Sequence, residues 1–191
     1  MKKQFLLLVK HATPAVDASL PAAMWRLSEE GQRSSVVLAE VLRPYQPQRC
    51  IASPEPKASE TAIIAAQALG LPVKIRRDLH EHLRLQAGFS TREIFEASIM
   101  RLFTRPGDLV YGDETADQAH GRFSKAITAS IAEYPDETLV VVAHGTVITL
   151  FVSRLVGLDP FPFWQRLGLP SVVVLTLPNF ELVEVIEQVR I

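Results

Sequence analysis

Two histidines, His11 and His144, stand in matching settings. Phe5-Leu6-Leu7-Leu8-Val9-Lys10-His11-Ala12 and Leu139-Val140-Val141-Val142-Ala143-His144-Gly145 each place a histidine and then a small residue at the end of an apolar run. A lone histidine in such a place is most often a satisfied core residue. Two at equivalent places point to chemistry, because a near-neutral imidazole offers an unprotonated nitrogen as nucleophile, base or metal ligand. A second cluster is Ser53-Pro54-Glu55-Pro56-Lys57-Ala58-Ser59-Glu60-Thr61-Ala62, which follows a short apolar segment and opens a helical pattern. Free N–H groups and the helix dipole attract anions to such a start. Lys57 adds a positive charge where the dipole alone favours a negative one, which makes sense if an anion lies between them; the plain alternative is a solvated lysine. The third cluster is Asp78-Leu79-His80-Glu81-His82. Alternation sets His80 and His82 on one side and Glu81 on the other, and a carboxyl there can protonate a leaving group. The two histidines are also formal metal ligands, but no companion cysteine or H-E-x-x-H motif supports them. No phosphate-binding G-x-x-x-x-G-K-[ST] loop, dinucleotide G-x-G-x-x-G or nucleophile elbow G-x-S-x-G is present.

These residues need elements to carry them. Strands are expected over residues 5–9, Arg49–Ala52, 73–76, 138–143, 172–177 and Leu182–Ile186, the last two forming a hairpin across Pro178-Asn179. Helices are expected from Ser28 as N-cap to Leu42, from about 57 to 69 with Gly70 as stop, and over 91–103 behind a Ser90/Glu93 capping box. Two more run from Thr115/Gln118 to about 132 and over 147–156. Strands alternating with helices imply an α/β fold: a three-layer α/β/α sandwich, its sheet mostly parallel, with helices on both faces. Ligands in such sheets bind beyond the carboxyl ends of the strands, where His11 and His144 sit.

The chain has 191 residues, 48 % of them apolar and 21 % charged, which fits one globular domain over 1–191. Twenty basic against 21 acidic residues argue against a nucleic-acid coat or a lipid-surface protein. The first apolar run is five residues, short for a signal peptide, and Cys50 has no partner for a disulfide; a cytoplasmic protein is expected.

Taken in order, the motifs resemble the histidine phosphatase superfamily, whose fold is phosphoglycerate mutase-like. The family's Arg-His-Gly appears as Lys10-His11-Ala12. Its serine, arginine and Glu-Thr-Ala appear as Ser53, Lys57 and Glu60-Thr61-Ala62. Its acidic residue appears as Glu81 in Asp78-Leu79-His80-Glu81, and its final motif as His144-Gly145. Leu27-Ser28-Glu29-Glu30-Gly31 resembles the helix opening after the first motif; Gly112-Asp113-Glu114-Thr115 with Arg122 is a looser match. Both motif arginines are lysines, in a chain with 6 lysines and 14 arginines. Lysine keeps the charge and loses the planar fork that grips two phosphate oxygens. Asp17 stands where mutase-type members often carry asparagine, and would repel phosphate if it faced the pocket.

The resemblance implies a metal-independent phosphomonoester hydrolase with no cofactor. His11 would form a phosphohistidine, Glu81 would act as general acid and base, and His144, Lys10, Lys57, Ser53 and Gly145 would hold the phosphoryl group. Residues from about 82 to 113, with Arg84, Arg92, Arg101 and Arg105, would form a substrate lid. The length fits the short phosphatase branch better than the mutases. The expected partner is a small phosphorylated substrate or a phosphoprotein, with no nucleic acid or membrane, and a homodimer is left open. The rivals are a phosphate-binding member without turnover, a phosphoglycerate-type mutase, and a metal enzyme using His11, His144 and Glu81.

Overall fold

A computed structural model describes residues 3–84 and 90–191. The unbroken apolar run at the N-terminus becomes strand β1 (Gln4–Lys10), whose side chains are buried on both faces, as expected of a strand inside a covered sheet. The remaining elements follow as α1 (Glu29–Leu42), β2 (Arg49–Ala52), α2 (Pro56–Leu69), β3 (Val73–Ile75), α3 (Arg92–Thr104), α4 (Ala116–Glu133), β4 (Leu139–Ala143), α5 (Gly145–Val156), α6 (Pro160–Arg166), β5 (Ser171–Leu177) and β6 (Leu182–Ile186). The six strands form one sheet in the order β3-β2-β4-β1-β5-β6. β3, β2, β4 and β1 run parallel, and the β5–β6 hairpin joins β1 antiparallel. Leu7 and Val9 meet Leu38 and Leu42 of α1 and the alanines of α2. Leu6 and Leu8 face the other way, into a core with Phe123 of α4, Ile148 of α5 and Phe163 of α6. The expected three-layer α/β sandwich is therefore present.

Local signals worked where side chain and backbone meet directly. Ser28 accepts from Gly31 N at 3.0 Å, and Thr115 forms its capping box with Gln118. Gly70 and Gly157 end their helices at φ 69° and 72°. Two details differ. Thr91, not Ser90, caps α3 through Ile94 N, one residue beyond the expected box. Helix α5 begins at Gly145, two residues earlier than its apolar periodicity suggests, since glycine and threonine carry no periodic signal. Helix α6 was not anticipated. Its Phe163 is core, with Phe161 and Trp164 packed against it. Among the described residues no helix is long and apolar enough to cross a membrane.

The start of α1 fixes the chain just after His11. A Cβ on Gly31 would lie 2.1 Å from Thr13 O, and Ser28 both donates to Thr13 O from its N–H and holds it through Oγ at 3.0 Å. Alanine favours helix over glycine by about 1 kcal/mol. Gly31→Ala is nevertheless expected to destabilise the fold by about 1–3 kcal/mol through overpacking, measured by urea unfolding. A stabilised variant would contradict this packing.

Candidate active site

Three parallel strands end level with one another. Lys10 pairs with Ala143 and Ala52 with Val142, so the next residues, His11, His144 and Ser53, emerge side by side. His11 N donates to Ala143 O at 3.1 Å and Ser53 N to Val142 O at 2.9 Å, extending the ladder by one residue. The two imidazoles meet edge to face with centroids 5.2 Å apart.

The His11 ring has a defined tautomer. Its Nδ1 lies 2.8 Å from Ala12 O, an atom that only accepts, so in the neutral ring Nδ1 carries the proton and Nε2 keeps its lone pair. Burial, then the charges of His144 and Lys57, hold this imidazole well below its ordinary pKa. Ala12 N is in turn held by Thr61 Oγ1 at 3.0 Å, and that hydroxyl donates to Lys57 O at 2.7 Å. Glu60 ties α2 to the loop before α1, accepting from Leu27 N and Arg26 Nε. The Glu60-Thr61-Ala62 motif thus secures the histidine loop from below.

His144 is fully buried. Its Nε2 lies 2.8 Å from Ser53 Oγ, and its Nδ1 has no partner among the described residues. Burial, then Lys57, depress its pKa, against the attraction of Glu81. Glu81 sits on the N-terminus of α5, where Oε2 accepts from Thr146 N at 3.1 Å and Oε1 from Val147 N at 3.3 Å and His82 N at 2.8 Å. Burial alone would raise its pKa. Arg84, His144 and these N–H groups outweigh burial and hold the carboxyl at about 2. Arg122 clamps the segment that carries it, donating to the carbonyls of Asp78, His80 and Glu81 while paired with Glu114. His82 is buried with Nε2 on Glu114 O at 2.7 Å.

A cavity of about 630 Å³ opens over this floor, lined by His11, Glu55, Lys57, Glu81 and Arg84, with apolar walls from the 14–25 loop and from Phe95 and Tyr111. Not every expected residue reaches it. Lys10 bends across Gly145 to donate to Leu167 O at 2.5 Å, and burial brings its pKa down to about 8 despite Glu81. Ser53 is spent on His144 and on Glu55 N. Asp17 turns into its own loop, where Oδ1 accepts from Ser19 N and Oγ. Lys57 does line the cavity, but Glu55 meets its ammonium at 2.5 Å. Glu55 also accepts from Glu81 N at 2.7 Å. The sequence reading assigned Glu55 no role, although its place two residues before Lys57 puts the two within reach. Glu114 and Arg122 were likewise noticed only as a loose match. A smaller cleft between α3, α4, α5 and α6 lies apart from the histidines, and its Arg154 and Asp117 are paired with each other. Burial pushes the Cys50 thiol up to about 12, leaving it inert. Among the described residues no three His, Cys, Asp or Glu side chains are grouped to hold a metal.

Three comparisons bear on this arrangement. The family model described as histidine phosphatase superfamily (branch 1) matches residues 7–183. A glucosyl-3-phosphoglycerate phosphatase from Mycolicibacterium vanbaalenii is 30 % identical over 160 residues, covering 74 % of this chain and 68 % of its own. In structure, Bacillus stearothermophilus YhfR superposes with a TM-score of 0.77 at 18 % identity over 98 % of both chains. A phosphoserine phosphatase from Entamoeba histolytica does so with 0.77 at 14 % over 96 % of both.

Four histidines, His11, His82, His120 and His144, are held below their ordinary pKa by burial when folded and are free to protonate when unfolded, which makes stability pH-dependent. Stability is full above the ordinary histidine pKa and is lost as pH falls through about 6.5, by about 1.4 kcal/mol per pH unit for each of the His11 and His144 rings, which are held well below it. Urea unfolding between pH 7 and 5 is expected to show this slope, reduced by about one ring's share in His11→Asn. A flat profile would contradict neutral burial.

Proposed function

The chain belongs to branch 1 of the histidine phosphatase superfamily, and on that premise we propose that it hydrolyses small phosphomonoesters without a metal, through a phosphohistidine on His11. The observation that carries this is the His11 tautomer, which leaves Nε2 unprotonated in a ring that lines the cavity. In the first step Nε2 attacks phosphorus and the ester P–O bond breaks. In the second, water attacks phosphorus, the P–N bond breaks with its electron pair returning to Nε2, phosphate departs and His11 is restored. The leaving oxygen needs a proton. Glu81 is a carboxylate in the free protein, so it relays the proton that a phosphate monoanion brings, and afterwards takes one from the attacking water. Lys57 lines the cavity where the transferring group would sit, and the buried His144 ring backs His11 from beneath; positioning and charge carry such reactions. We assign Lys10, Ser53 and Gly145 a supporting part: Ser53 orients His144, and Lys10 packs across the start of α5. The segment from about 82 to 113 is proposed to cover the substrate, since Leu83, Arg92 and Tyr111 line the cavity; the part of it at 85–89 lies outside the described residues. One domain over 1–191, with its cores on the two faces of one sheet, accommodates these parts.

One observation favours a second reading, a phosphate-binding member without turnover: both motif lysines are engaged inside the protein, on Leu167 O and Glu55. Hydrolysis of 4-nitrophenyl phosphate in EDTA separates the two. Turnover is expected in the wild type, declining as pH rises through the second ionisation of the ester and the monoanion disappears, with a loss of roughly 10³-fold or more in His11→Ala. Phosphate binding with no turnover from pH 5 to 8 would favour the second reading.

A further inference from the structure

The charged residues on the cavity wall are few and mostly engaged. Among the described residues they are Lys57, Arg84 and Arg92 against Glu55 and Glu81. Lys57 is bound by Glu55, and Arg92, at the exposed rim, is bound by Glu96 at 2.7 Å. Arg84 differs. Its guanidinium lies 5.0 Å from the Phe95 ring centroid, and its Nη1 is buried with no hydrogen-bond partner among the described residues. Its charge is felt at both Glu81 and His144, so it stands close to the reacting centre. A buried donor without an acceptor is costly, and an incoming oxyanion supplies the acceptor.

The rest of the wall is apolar. Val16 and Leu20, 59 % and 47 % exposed, line the cavity, as do Phe95 and Tyr111, with Trp25 closing the loop by donating to Asp17 O and Leu20 O. Exposed apolar side chains grouped at a cavity mouth mark a surface meant to be covered by a ligand. With Arg84 taken by the phosphoryl group, a second anion inside the cavity would meet Glu55 and Glu81; among the other described lining cations Lys57 is held by Glu55, and Arg92 stands at the exposed rim paired through Nε with Glu96. We propose that the cavity selects phosphomonoesters of apolar alcohols, aromatic or branched aliphatic, in which the phosphoryl group is the sole charge and is gripped by Arg84 in place of the motif arginines. This rests on the phosphatase assignment for its chemistry, but the ligand class can be read separately by binding.

The test compares 2-phenylethyl phosphate, glycerol 3-phosphate and 3-phosphoglycerate, all esters of primary alcohols, on the full chain. For the wild type, kcat/KM is expected to favour 2-phenylethyl phosphate over glycerol 3-phosphate by about tenfold or more, and 3-phosphoglycerate to be the poorest. Calorimetric affinities on His11→Ala, which do not depend on turnover, are expected in the same order. Turnover that favours 3-phosphoglycerate or ranks the three alike overturns the ligand class and leaves the phosphatase standing. Absence of turnover, with the binding order kept, removes the phosphatase and leaves the ligand class. Absence of both removes both. Arg84→Ala is expected to weaken inorganic phosphate binding by roughly tenfold or more, with Arg84→Lys between it and wild type. A thermal melt confirms that each variant is folded, and wild-type phosphate affinity in folded Arg84→Ala overturns the clamp. Leu20→Ser, at an exposed loop position, is expected to narrow the preference for the phenylethyl ester; an unchanged ratio would remove the apolar wall from the selection.

Discussion

Parallel pairing of β4 with both β1 and β2 places Lys10 beside Ala143 and Ala52 beside Val142. The site depends on that register. The hydrogen bonds from His11 N and Ser53 N prolong the ladder just past the strand ends, where the backbone can turn and side chains gain access to a cavity. A one-residue slip of β1 against β4 would turn His11 to the other face of the sheet and carry it out of line with His144; since both faces of Leu6 through Val9 are apolar, the polar ends Gln4 and Lys10 and the two ladders of β1 hold the register.

Around this frame the charges are arranged to satisfy one another before any ligand arrives. Glu81 takes the N-terminus of α5, Glu55 takes Lys57, and Lys10 reaches a backbone carbonyl. Lysine suits these uses because it is a compact charge on a flexible stem; a planar guanidinium fork would project farther and bind two acceptors at once. The imidazoles stay neutral under this crowding, which keeps a lone pair on His11 Nε2.

Much of the surrounding polar network holds backbone in place. Thr61 bridges Ala12 N and Lys57 O, and Arg122 collects the carbonyls of Asp78, His80 and Glu81. Each satisfies groups that would otherwise be stranded beneath the cavity, and each keeps a reacting side chain from drifting. The clamp of Arg122 and Glu114 connects residues more than forty positions apart in part, which no local pattern announces.

The sequence by itself determined the elements and their direction. Unbroken apolar runs demanded strands buried on both faces, Ser28 and Thr115 announced helix starts, and Gly70 and Gly157 announced helix ends, because these signals act within a few residues. It also placed His11, His144 and Glu81 at strand or loop ends, together with the lysines in the motif positions. Tertiary structure alone decided what those lysines face, that Glu55 neutralises Lys57, that Asp17 turns away, and that Arg84 Nη1 is buried with no partner among the described residues. The reason is physical: strand and helix periodicity is a short-range property of the chain, whereas the partner of a charged side chain is set by whichever acceptor the packed fold brings within about 3 Å.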